Sequence, residues 1–137
     1  MSPERPTSER PTSFAAFWPY YLMAHRDPRC RALHYVGSSG GIAGTIAAIA
    51  TLNPLWLVVG LVFAYGLAWI GHFFVEGNRP ATFGNPAWSL IGDLRMYSLW
   101  LSGRLAPALA AAEDRLTRAP GSDRTANGFS EAPLKTR

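Results

Sequence analysis

The stretch that decides the fold runs from Ala32 to Val75, ALHYVGSSGGIAGTIAAIATLNPLWLVVGLVFAYGLAWIGHFFV, and its 44 residues include no Asp, Glu, Lys or Arg. A bilayer core of about 30 Å takes roughly 20 helical residues, so this run is long enough for two crossings and a tight turn. Leu52-Asn53-Pro54, near its middle, supplies the turn. The pattern predicts an all-α membrane protein, an antiparallel transmembrane hairpin over about residues 34–52 and 55–74 flanked by interfacial amphipathic helices. A soluble protein burying the same hairpin would need a surrounding core that a chain of 137 residues does not supply.

Outward from the hairpin, the ends change character. Residues 1–13 read Met-Ser-Pro followed by ERPTS twice, a charged, Pro-rich repeat expected to be a disordered tail rather than a signal peptide. Residues 119–137 mix Gly, Ser, Asn, Arg and Pro, and a disordered tail is expected there too. A single membrane domain over 14–118 remains. Five Arg precede the uncharged run, eight Arg or Lys follow it and the turn carries none, so both termini are expected on the cytoplasmic side. The sequence pI of 9.7 reflects these flanking charges. They form no aromatic-interleaved patch on a soluble fold, so no nucleic-acid partner is expected. One cysteine, Cys30, rules out an internal disulfide and suits a reducing compartment.

Before the first crossing, Phe14, Phe17, Trp18, Tyr21 and Leu22 recur at helical spacing behind a capping Ser13, with His25 one turn past Tyr21. After the second, residues 87–101 place Trp88, Ile91, Leu94, Tyr97, Trp100 and Leu101 around Asp93 and Arg95; this segment reads as interfacial or re-entrant, with an amphipathic continuation to about Arg118. Within the hairpin, Gly37, Gly41, Thr45 and Ala48, with Gly40 and Gly44, face Gly60, Ala64 and Ala68. Small residues let helix backbones approach closely in lipid, and such faces also suit a homodimer.

The histidines extend these faces. His34 precedes Gly37 and Gly41 by three and seven residues, His72 follows Ala68 by four, and each lies 19 residues from Asn53, so the hairpin sets them level. Glu76 continues the line as an H-x3-E pair. Two histidines and a carboxylate suit non-haem Fe(II) and O2 chemistry, and a site with three histidines is the alternative. The bland reading has His34 and His72 finishing helix ends and His25 at an interface. Arg79 either pairs with a substrate carboxylate or anchors a headgroup. Asp93 and Arg95 either satisfy each other or close the site.

The runs FWPYYLMAHRDPRCRALHYVG (17–37) and YGLAWIGHFFVEGNRPATFGNPAWSLIGDLRM (65–96) resemble a family of small membrane proteins that includes the fungal 2-hydroxy fatty acid dioxygenase of phytosphingosine breakdown. The specific features are the nine-residue spacing of His25 and His34, then Gly37, and the segment Gly71, His72, Glu76 with Arg79-Pro80-Ala81 after it. The resemblance implies an Fe(II)-dependent membrane enzyme that uses O2 to shorten a long-chain 2-hydroxy fatty acid by one carbon. His25, His34 and His72 would hold the metal, with Glu76, Asp93 or water as a fourth ligand and Arg79 near the substrate. The chain is shorter than the fungal relatives and resembles the bacterial branch, which implies the bacterial inner membrane. The alternative is a non-enzymatic membrane scaffold or lipid-binding protein; a channel finds no intramembrane charge to work with.

Overall fold

The computed structural model describes residues 11–118. Apart from positions 11–13, the two expected tails lie outside the described residues. The described chain is all-helical: α1 (Phe14–Met23), α2 (Pro28–Thr51), α3 (Leu55–Ile70) running into a π-helical turn (Gly71–Glu76), a 3-10 turn (Ala81–Phe83), α4 (Pro86–Leu101) and α5 (Leu105–Thr117).

Local chemistry sets the helix ends. The Ser13 hydroxyl accepts from the Ala16 amide at 3.2 Å and starts α1. Asp27 caps α2, its Oδ1 accepting from the Arg29 amide at 2.8 Å, with Pro28 at the first helical position. This cap starts α2 six residues earlier than the expected 34, so His34 lies inside a helix rather than at its mouth. At the far end Leu52 closes α2 in the left-handed region, φ 52°, and the Asn53 side chain accepts from the Leu55 amide at 3.0 Å to start the return.

α2 and α3 pack backbone to backbone. A Cβ built on Gly44 would lie 2.6 Å from the Trp56 carbonyl oxygen and 2.8 Å from the Gly60 Cα, and one on Gly37 would lie 3.0 Å from the Ala64 carbonyl oxygen. The contact ridge is thus Gly37 and Gly44 against Gly60 and Ala64, and the small residues are spent on packing within the chain. That packing also separates the two helices in hydropathy. One helix among the described residues, Leu55–Glu76, is long and apolar enough to cross a membrane. α2 devotes Gly37, Ser38, Ser39, Gly40, Gly41 and Gly44 to close approach or polar atoms, which lowers its apolar content.

α1, α4 and α5 form a second layer around an aromatic core in which Phe17, Trp18, Tyr21 and Leu22 meet Met96, Leu105 and Ala112. Phe17 lies against Trp88 of α4, ring centroids 5.6 Å apart, and Arg95 sits over Trp18 at 4.5 Å. The amphipathic continuation expected after residue 101 is interrupted: Gly103 turns left-handed at φ 70°, and α5 folds back on α1 as a separate helix. The histidines lie where this layer meets the hairpin.

Candidate metal centre

Three elements each bring one histidine. His25 sits just past α1, its amide held by the Leu22 carbonyl at 3.1 Å; His34 lies two turns into α2; His72 is the second residue of the π turn. All three are buried, at 0, 5 and 2 % exposure. Their ring centroids are 4.4, 4.5 and 5.1 Å apart, and one ring nitrogen from each lies within 4.8 Å of the other two.

The hydrogen bonds fix which nitrogen each ring presents. A neutral imidazole has one N–H and one lone pair. The His25 Nδ1 donates to the Tyr21 carbonyl at 2.6 Å, His34 Nδ1 to Asp93 Oδ1 at 2.9 Å, and His72 Nδ1 to Asn78 Oδ1 at 2.7 Å. Asn78 is oriented in turn, because its Nδ2 donates to the Ala24 carbonyl at 3.0 Å. Every Nδ1 therefore carries the proton and every Nε2 keeps its lone pair. Burial, and then the neighbouring His34, hold His25 well below the usual histidine range, so its imidazole is neutral.

His25 Nε2 and His34 Nε2 face each other at 3.2 Å. Two lone pairs at that distance repel unless a cation lies between them. Ligands ~2.1 Å from one metal at near right angles sit about 3 Å apart, so this pair has the spacing of adjacent ligands. The three imidazoles, each oriented by a carbonyl, a carboxylate or an amide, fit a metal ion.

The π turn explains how His72 joins them. On a regular α-helix residues six apart lie about 120° apart around the axis, so Asn78 would not share a face with His72. The wider turn and left-handed Gly77, φ 69°, bring the chain back, and the Asn78 amide closes on the His72 carbonyl at 3.0 Å. Glu76, four residues after His72, is engaged elsewhere. Its Oε1 accepts from the Asp27 backbone amide at 2.6 Å, tying the π turn to the start of α2, so the structure does not bring Glu76 to the histidines. Arg79 lies over the Phe83 ring at 5.7 Å, outside the triad.

Asp93 and Arg95 do not pair with each other. Asp93 accepts from His34 and from the Tyr21 hydroxyl, while Arg95 packs on Trp18. Burial, then the Asp93 charge, push the Tyr21 phenol well above its usual range, so it stays a donor. Asn78 is the residue sequence reasoning missed. An Asn two positions past an H-x3-E segment signals a ligand partner only if the turn between them is wide.

Fold and centre together define a small all-helical protein with a buried three-histidine site able to hold a metal ion. A family profile described as 2-hydroxy-palmitic acid dioxygenase Mpo1-like matches residues 11–105, and the chain belongs to that family. No curated protein and no solved structure matches it.

Proposed function

We propose that this protein is a membrane-embedded, Fe(II)-dependent dioxygenase that shortens 2-hydroxy fatty acids by one carbon. The observation that carries the reading is the convergence of His25, His34 and His72 with their Nδ1 atoms already committed. Membership of a family described by a 2-hydroxy-palmitic acid dioxygenase supports the substrate class. The outer faces of α2 and α3 expose Ile46, Ile49, Leu55, Val58 and Val62, a surface suited to lipid, and this supports a membrane-embedded hairpin; the Arg and Lys residues on both its flanks support placing both termini on the cytoplasmic side of a bacterial inner membrane.

Iron held by the triad would supply sites for the substrate's carboxylate and 2-hydroxyl and for O2. In the overall reaction the C1–C2 bond breaks, C1 leaves as CO2, C2 becomes the new carboxyl carbon, and one O2 is consumed with release of water. The chain's own residues orient and shield. Asp93 and Asn78 hold their imidazoles, Tyr21 holds Asp93 by its hydroxyl and His25 by its carbonyl, and burial excludes bulk water. The test is O2 uptake with 2-hydroxypalmitic acid by iron-loaded protein in detergent. Loss of one CO2 and formation of one odd-chain acid per O2 is expected; an iron-loaded protein that leaves the acid untouched would contradict the reading.

A further inference from the structure

Beside the triad, α2 and α3 open an apolar trough of about 400 Å³, which α4 lines only at one end. His34 and Asp93 stand at that end. From there the α2 wall steps through Ser38 and Ile42 to Ile46, and the α3 wall ends opposite at Leu57. Asp93, beside His34, is its one carboxylate, and no Lys, Arg or Glu lines it. Of the hydroxyls along it, that of Thr45, farthest from His34, donates to the Gly41 carbonyl at 2.9 Å, so its proton is already committed. At ~1.5 Å per helical residue, the trough from His34 to Ile46 is about 18 Å long, the span of an extended chain of about fourteen carbons.

We propose that the trough holds the alkyl chain of the acid whose head lies at the triad, and that Ile46 and Leu57 set the preferred chain length. This rests on the dioxygenase reading for the identity of the head group. The occupant follows from continuity: the trough opens from a candidate ligand of the centre, its one carboxylate stands at that end, and the rest of its lining is apolar but for the hydroxyls of Ser38, Thr45 and Tyr65. An unesterified chain can enter sideways from the bilayer, because the trough's far end is lined by the exposed Ile46 and Leu57.

Binding tests this apart from turnover. The probe is a saturated fatty acid of that length, lacking the 2-hydroxyl and carrying a diazirine on its terminal carbon, photolysed with the full-length iron-loaded protein in detergent. Adducts concentrated on the segments containing Ile46 and Leu57 are expected. A diazirine close to the carboxyl group should instead label Leu90 and Leu94. Adducts scattered over the outer face at Val58 and Val62, or chain-to-chain cross-links showing a second copy in the trough, would overturn the proposal. In Ile46→Trp and Leu57→Trp, both at exposed positions, chains of full length should compete about tenfold less well, the effect of roughly two lost buried methylenes, while much shorter chains compete as before. Equal competition at every length in both variants would also overturn it. Turnover with scattered labelling removes the trough and spares the dioxygenase; localised labelling without turnover does the reverse.

Discussion

His34 donates its Nδ1 proton to Asp93, 59 residues away, at 2.9 Å, and the same carboxylate oxygen accepts the Tyr21 hydroxyl from α1. One side chain of α4 thus fixes a candidate ligand on α2 and ties it to the aromatic core. Gly92 makes room for this, since a Cβ there would lie 2.9 Å from the Tyr21 ring.

Asp93→Asn keeps the oxygen that accepts both donors and removes the charge that makes the His34 lone pair more basic. Metal affinity, measured by competition with a chelator, should fall about 10- to 100-fold with the helical content unchanged. Unaltered affinity would mean that Asp93 serves packing alone.

Asn78→Leu removes the partner of His72 and leaves the Ala24 carbonyl unpaired. Thermal unfolding should show a loss of about 1–3 kcal/mol, accompanied by weaker metal binding. Gly77→Ala, at φ 69°, should cost about 1 kcal/mol and weaken metal binding less, because it strains the turn without removing a partner.

Close approach of α2 and α3 predicts opposite results at two glycines. Gly44→Ala drives a methyl into the backbone of Trp56 and Gly60 and should destabilise by about 1–3 kcal/mol. Gly66→Ala, with nothing within 4 Å of its added carbon, should stabilise α3 by about 0.5–1 kcal/mol. Equal melting temperatures for the two variants would refute the packing described.

Asp27 gives a pH signature away from the histidines. Its bonds from the Arg29 side chain and amide hold its carboxyl at about 2. A depressed folded pKa means that the charge stabilises the fold above the unfolded value of about 3.9 and ceases to do so as pH falls through about 2. Asp27→Asn retains a capping oxygen without the charge. The melting temperatures of the two proteins should therefore differ at neutral pH and converge between about pH 4 and 2.

Much of this architecture is legible in the sequence because its signals are local or strictly periodic. The uncharged run marks the paired helices, Asn53-Pro54 the turn, Ser13 the first cap, and equal distances from Asn53 set His34 opposite His72. Features that depend on irregular winding are not legible. An apolar run such as Gly71–Val75 does not reveal that it winds as π, nor that Gly77 then turns left-handed and brings Asn78 back to His72 while Glu76 bonds the Asp27 amide. Likewise the early start of α2 follows from Asp27-Pro28, a cap outside the apolar run. The role of Asp93 required knowing that α4 packs on α1, and no spacing within either helix specifies that.

The most direct test is the iron content of protein purified anaerobically with Fe(II), compared with His34→Ala and His72→Ala variants whose helical content is intact. About one iron per chain in the natural sequence, lost in both variants, is the predicted result, since removing either imidazole leaves too few ligands. A natural protein without iron, or variants that retain it in full, would contradict a metal centre at His25, His34 and His72.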